Sequence, residues 1–444
     1  MTQQLSPTMP LQGVLPSTAT VNERGHLAIG GCDTVELARE YGTPLYVFDE
    51  QLLRDQARAF VGSFTRHNPD TMVAYASKAY IGLAVLKVMQ EEGLGLDVVS
   101  GGELAIALAA GFPPERIHLH GNNKTPQELR EAVAAGIGRV VVDNFYEIEV
   151  LDRIAGEAGR NQSVLLRLAP GIDPHTHAKI STGQIDTKFG FTIENGDAAE
   201  AVNRTLAANH LTLLGYHCHI GSQIFEIESY EQVADVMLGF AAAQRDRTGY
   251  IPTEFSPGGG FAVQYLADAP PPEPDAYAAI VVNAVSAARE RYGLPPLRLF
   301  VEPGRSMVAR AGVALYTVGS IKDIPGVRRY VSIDGGMADN IRPAMYDARY
   351  EAIIANRPQE SPDATVTIAG KYCESGDILI RDIDLPELRS GDVLAVPASG
   401  AYAPAMASNY NGALRPAVVF VRDGAARLVR RRETYEDLLR TELA

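Results

Sequence analysis

Leu211–Ser222, LTLLGYHCHIGS, begins as an apolar run suited to a strand buried on both faces and ends in histidine, glycine and serine. Buried parallel strands carry such continuous runs, and the polar end marks where the chain leaves the strand for the next helix. Outward from this stretch the pattern recurs at Met72–Lys78, Leu96–Ser100, Ile117–Gly121, Arg139–Asn144, Val164–Pro170, Glu254–Gly260 and Leu299–Arg305, which makes eight runs. Segments with helical periodicity lie between them, among them Gly102–Ala110, Pro126–Ala135, Phe145–Glu157, Tyr230–Arg245 and Asp275–Arg291. Eight parallel strands joined by crossover helices leave no open edge if the sheet closes, so the spacing predicts a (β/α)8 TIM-like barrel. Lys78, Asp97, His120, Asn144, Arg167, His219, Gly258–Gly260 and Glu302 fall at the C-terminal ends of these strands. Barrel enzymes place their chemistry at that end.

After Arg305 the periodicity changes to short alternating stretches such as Val313–Ile321, Arg329–Ile333, Thr365–Ala369, Val393–Pro397 and Ala417–Arg422. These predict a C-terminal, mostly antiparallel β domain. The expected division is a tail over 1–24, a segment over 25–48 that joins the β domain, a barrel over 49–306 and the β domain over 307–444. With 40 Lys and Arg against 54 Asp and Glu, the net charge of −14 would repel a polyanion, so nucleic acid is not an expected partner. Cys32, Cys218 and Cys373 are three in number and lack metal-ligand spacing, which fits a reducing cytoplasm and no metal. Met1–Pro16 lacks a basic stretch followed by an apolar one, and no window is apolar enough to span a bilayer, so no membrane association is expected.

A strand-end lysine such as Lys78 is by default a solvated charge. In a desolvated barrel mouth its pKa would fall, and a neutral amine can condense with a carbonyl. Gly258–Gly260 and the Glu302-Pro303-Gly304-Arg305 stretch end the last two strands, where barrels commonly seat a phosphate. A carboxylate beside a phosphate seat calls for a ligand that also carries a cation. The protonated ring of pyridoxal 5'-phosphate answers all three features.

The chain resembles the fold-type III pyridoxal-phosphate-dependent decarboxylases, a group with an alanine-racemase/ornithine-decarboxylase-like fold, and within them the diaminopimelate branch. The motifs are YASKA around Lys78, DVVSGGEL from Asp97, HGNNK from His120, STG and TKFGF between Ser181 and Phe191, and YHCHIGSQ from Tyr216. GGGF from Gly258, EPGRS from Glu302, DGGMADNIRPAMY from Asp334, CESGD from Cys373 and GAY from Gly400 continue the series. TKFGF has Thr187 where the family has serine, which keeps the hydroxyl. The resemblance implies decarboxylation of meso-2,6-diaminopimelate to L-lysine, the last step of lysine biosynthesis. It implies that Lys78 holds the cofactor covalently, that His219 stacks on its ring, and that Ser222, Gly260, Gly304 and Arg305 hold its phosphate. Glu302 would meet the ring nitrogen, while Asp97 and Arg167 would orient Lys78. Arg305, Arg342 and Tyr346 would bind substrate carboxylates, Tyr402 would touch cofactor and substrate, and Glu374 would bind the remote ammonium. Cys373 would be the catalytic acid. The resemblance further implies a homodimer in which Cys373 and Glu374 serve the neighbouring subunit's site. His118, His175, His177 and His217 are read as ordinary polar or core residues.

Three other readings stay open on the residues. A sister decarboxylase for ornithine, lysine, arginine or carboxynorspermidine would differ after the cysteine or in the Arg342–Tyr346 block. A non-catalytic pyridoxal-phosphate carrier would have little use for Cys373 and Glu374. A lysine aldolase on the same barrel would leave Glu302 without a cation to meet.

Overall fold

The structure, a computed structural model, describes residues 9–172 and 188–443. Its chain separates into two compact units, one of residues 56–262 and 272–304, the other of residues 1–55, 263–271 and 305–444.

The first unit is the barrel. Its strands are β1 (Thr71–Ala76), β2 (Gly95–Val98), β3 (Ile117–Leu119), β4 (Arg139–Val142), β5 (Gln162–Ala169), β6 (Leu211–His217), β7 (Glu254–Gly258) and β8 (Arg298–Val301). Each pairs in parallel with the next, and β8 pairs with β1, so the sheet closes. Closure leaves no unpaired edge among the eight, which is why strands as short as three residues are sufficient. Gly215 sits at a bulge of β6, and a Cβ there would lie 1.8 Å from the Glu254 carbonyl oxygen, so only glycine lets β6 approach β7 so closely.

Several polar strand ends serve the helices that follow. Ser100 caps the helix Gly101–Ala109 and Asn144 caps Phe145–Glu157, each accepting a backbone N–H with its side chain. Thr125 and Glu128 form a capping box at Pro126–Ala135, which ends at the left-handed Gly136. Asn144, one of the aligned strand-end residues, is therefore accounted for as a cap.

The second unit is a mostly antiparallel sheet. Its order is Ile378–Leu385, Ala364–Ala369, Arg328–Ile333, Gly312–Ile324, Leu45–Asp49, Ala417–Arg422 and Ala425–Arg430, with Val393–Val396 also pairing to Gly312–Ile324. Two pairs are parallel, Leu45–Asp49 with Ala417–Arg422 and Arg328–Ile333 with Ala364–Ala369. Alternate residues Leu45 and Val47, Val313 and Leu315, and Val419 and Val421 point into one core with Leu27 and Ile29. The stretch expected to be a tail is folded from residue 9 onward. Val14 and Leu15 are buried there, Leu15 joins this core with Met9, Leu11 and Ala19 packed against it, and Thr20–Val21 pairs with Leu27–Ile29. Residues 50–55 and the excursion 263–271 also belong to this unit, inside the span expected for the barrel.

Candidate active site

In the barrel unit Lys78 lies in the single turn Ser77–Ala79 that follows β1, and not on the strand itself. It is exposed between buried Ser77 and Ala79, so the desolvation expected of it is not a feature of this structure. Ser77 fixes the turn, its hydroxyl donating to the Asp97 carbonyl at 2.6 Å and to Glu103 at 3.1 Å. Asp97 is buried on β2, and burial together with the Glu302 charge pushes its carboxyl well above the usual range, against the nearby Lys78. Asp97 Oδ1 stands 3.6 Å from His118 and 3.5 Å from His120. Burial drives His118 down to about 3 and His120 well below its ordinary value.

Glu302, 9 % exposed, follows β8. Ser256 donates to its Oε1 at 2.7 Å, and His217 lies 3.0 Å from its Oε2. Burial alone would raise its pKa, but His217 and His120, with these two hydrogen bonds, hold it well below the ordinary carboxylate range. Two triads, Asp97–His118–His120 and His120–His217–Glu302, bring their donor atoms within 4.8 Å of one another. In the second of these the carboxylate already accepts from Ser256 and His217.

The glycine rim lies beside this carboxylate. Gly258 and Gly260 have φ of +81° and +106°, a left-handed backbone, and a Cβ at Gly259 would sit 2.1 Å from the Glu302 carbonyl oxygen. The rim is bare backbone held from behind. Tyr230 donates to the Gly259 carbonyl at 2.8 Å, and the Gly259 N–H reaches His219 Nδ1 at 3.3 Å. His219 is half-buried, and burial and the Lys78 charge keep it neutral. Ser222 is exposed on the loop after β6. Gly304 packs against β1, where a Cβ would meet Ala76 at 3.0 Å. Arg167 pairs with Asp143 at 3.8 Å and stacks at 4.3 Å on Phe189. Of the quoted motifs, STG and the Thr187 of TKFGF lie outside the described residues, as do His175 and His177.

In the β unit, Arg305 and Arg342 gather around shared tyrosines. Arg305 donates to the Tyr265 hydroxyl at 2.8 Å and stands 4.7 Å over Tyr402. Arg342 donates to the Tyr350 hydroxyl and lies 4.7 Å over Tyr265 and 6.0 Å over Tyr402. Such ring faces hold guanidinium planes while leaving N–H groups for a carboxylate. Tyr402 has φ of +67°, a left-handed backbone unusual for a bulky residue. Tyr346 ends the short helix Arg342–Tyr346 and is exposed, near enough to Tyr402 to act on it electrostatically. Cys373 and Glu374 are exposed on a loop fixed from below. Asp377 accepts the Met337 and Tyr372 N–H groups at 2.6 and 2.8 Å, and Asn411 accepts the Cys373 N–H at 2.9 Å. Sequence reading missed Tyr265, Tyr350, Ser256 and His217. Only His217 carried a signal, its place two residues before His219 in one motif.

A closed barrel with a lysine after β1, a glycine rim after β7 and an ionised carboxylate after β8 defines a barrel enzyme of the pyridoxal-phosphate class. The family described as pyridoxal-dependent decarboxylase, pyridoxal binding domain, matches residues 51–309. A Bacillus subtilis diaminopimelate decarboxylase is 51 % identical over 97 % of this chain and 98 % of its own length, and one from Mycobacterium tuberculosis is 46 % identical over 97 % and 98 %. The M. jannaschii diaminopimelate decarboxylase in complex with L-lysine superposes with a TM-score of 0.91 at 36 % identity, covering 96 % of this chain and 98 % of that one. The chain belongs to the diaminopimelate decarboxylase family. A lysine/ornithine decarboxylase from Vibrio vulnificus, 23 % identical with a TM-score of 0.73 over 88 % of this chain and 98 % of that one, shares the fold.

Pyridoxal phosphate fits the residues present. The ionised Glu302 suits a ring cation, the left-handed, half-buried Gly260 brings backbone without a side chain to the rim, and the neutral His219 offers a ring face beside it.

Proposed function

We propose that this protein removes carbon dioxide from meso-2,6-diaminopimelate and releases L-lysine. The observation that carries the reading is Glu302, a buried carboxylate kept charged beside a glycine rim, in a chain whose relatives share the activity over their full length. When bound, pyridoxal phosphate supplies the electron sink for the pair left by departing carbon dioxide. Lys78 provides the amine that anchors it, and Ser222, Gly260, Gly304 and Arg305 provide its phosphate seat. Glu302 keeps the proton on the ring nitrogen. The Arg305–Arg342 cluster with Tyr402 and Tyr346 binds substrate carboxylate, for which a guanidinium fork is suited. Glu374 takes the ammonium of the remote centre, and Cys373 Sγ–H delivers the proton to the carbon that carbon dioxide has left.

The minimal active form in this reading is an isologous homodimer in which Cys373 and Glu374 of each copy serve the other's barrel. Their exposure on the β unit supports it, as do the exposed Met345 and Tyr346 at 56 % and 61 %. We place the protein in the cytoplasm. Its three cysteines are free, and among the described residues no helix is long and apolar enough to cross a membrane.

Purified protein with added cofactor tests the proposal. Among meso-diaminopimelate, ornithine, lysine, arginine and carboxynorspermidine, only the first should yield carbon dioxide, and borohydride should fix the cofactor to Lys78. Turnover of another substrate in its place, or the label on another lysine, would overturn the assignment.

A further inference from the structure

His217 ends β6 with its side chain 1 % exposed, and its ring packs edge-on against His120 with centroids 5.0 Å apart. Its Nε2 lies 3.0 Å from Glu302 Oε2, while its Nδ1 is buried without a hydrogen-bond partner among the described residues. An ionised carboxylate only accepts, so the proton of this contact sits on Nε2. His217 therefore points its Nε2–H at Glu302. The other carboxylate oxygen accepts from Ser256, whose hydroxyl in turn accepts the Gly258 N–H at 3.1 Å. Donors from β6 and β7 thus grip Glu302 at one oxygen each, and each oxygen keeps a lone pair free.

We infer that His217 is a positioning residue that fixes the plane of the Glu302 carboxylate and keeps it ionised, so that an anion of set direction meets the ring nitrogen. This rests on the proposed function, because it gives Glu302 its task. The charged and titratable groups that face the pair are Asp97 on β2, His118 on β3 and His120 just after it, Arg167 on β5, the buried Cys218 after β6, and Lys78 and His219. The electrostatic pull of His217 and His120 favours the Glu302 anion, and the hydrogen bonds from His217 and Ser256 add to it. The His217 donor at 3.0 Å also sets the direction of the carboxylate, since a hydrogen bond to the charged form favours that form.

Two variants and one measurement on unmodified protein test the inference. His217→Leu removes the donor, and His217→Gln keeps an N–H at similar reach. In the cofactor-loaded enzyme His217→Leu should lower kcat about 10- to 100-fold with KM nearly unchanged, the scale on which supporting partners of a functional ligand act. The acid limb of the kcat profile should move up by about one unit, because the charged form has lost a donor. His217→Gln should recover most of both. A folded His217→Leu within about twofold of wild type and with an unmoved acid limb would overturn the inference, as would a folded His217→Gln no better than His217→Leu.

Should His217→Leu not fold, isotope-edited NMR of the cofactor-free wild-type protein decides. A Glu302 carboxyl still ionised below about pH 4, with the His217 Nε2 proton held in a hydrogen bond, supports the inference, and an ordinary carboxyl titration near 4.3 or an unbonded Nε2 proton overturns it. Glu302→Gln separates the two levels. If the proposed function itself is wrong, Glu302→Gln leaves turnover unchanged, whereas if only the role of His217 is wrong, Glu302→Gln loses turnover and His217→Leu does not.

Discussion

Replacing Lys124 with methionine breaks a charge pair sealed inside the barrel unit. Lys124 Nζ lies 2.6 Å from Glu147 Oε1, both side chains are 1 % exposed, and the ammonium also donates to the Gly121 and Val141 carbonyls at 2.7 and 2.6 Å. Burial lowers the Lys124 pKa against the pull of Glu147, and raises that of Glu147 against the pull of Lys124. Both directions say that desolvation outweighs the attraction within the pair. Lys124→Met leaves the Glu147 carboxylate and two carbonyls without their partner, which should cost about 3–5 kcal/mol. At about 2–4 °C per kcal/mol for a unit of this size, the barrel transition should fall by roughly 6–20 °C.

The loss should depend on pH with a definite sign. With Lys124 gone, the folded-state pKa of Glu147 rises further above its unfolded value. The folded protein then binds the extra proton in the window between them, and stability falls as pH rises through that window. The deficit is therefore larger at about pH 8 than at about pH 5.5. The double variant Lys124→Met, Glu147→Leu removes both charges, regains about 1–4 kcal/mol of desolvation and forfeits hydrogen bonds worth about 1 kcal/mol each, so it should lie within about 2 kcal/mol of wild type. Calorimetry of the three proteins at both pH values checks this. A single variant within about 1 kcal/mol of wild type, or a double variant as unstable as the single one at both pH values, would refute the reasoning.

If sites are shared, mixing inactive Lys78→Ala with inactive Cys373→Ala under subunit exchange should recover about a quarter of wild-type activity, since half the dimers are mixed and each has one intact site. No recovery after demonstrated exchange would place Cys373 in its own chain's site. Asp339, which accepts from Tyr316 at 2.7 Å and Gly336 at 2.9 Å, is pushed up to about 7 by burial, so the folded state binds its proton between about pH 4 and 7 and loses stability as pH rises through that range. Asp339→Asn should gain on wild type by up to about 4 kcal/mol from pH 4 to 8 in paired urea titrations, and an equal gap at both ends would remove Asp339 as the cause.

The barrel was legible because its signal is local. A strand buried on both faces must be apolar throughout, so runs such as VLLRLAP and LTLLGYH announce themselves without reference to any partner. The β unit was harder. Ile378–Leu385 carries Arg381, Asp382 and Asp384 on its exposed positions, and Ala425–Arg430 is largely exposed, so neither offers a clear apolar alternation. The candidate site was legible where motifs mark it, at Lys78, Gly258–Gly260, Glu302 and Cys373. Tyr265 lay hidden in a stretch counted with the barrel.

By itself the sequence determined the number and order of the barrel strands, the polar rim at their C-terminal ends and the change to a β unit after Arg305, since each follows from which residues neighbouring positions can bury. Tertiary structure alone decided which side chains meet. His217 and Glu302 are 85 positions apart, yet bond because β6 and β8 flank β7 in a closed sheet. Arg305 and Arg342 share Tyr265 because the 263–271 excursion folds with the β unit. A histidine or tyrosine reads alike in a sequence whether it fills a core or grips a charge, because its role is set by what lies within about 3–6 Å of its polar atoms and ring face, and chain folding sets those neighbours.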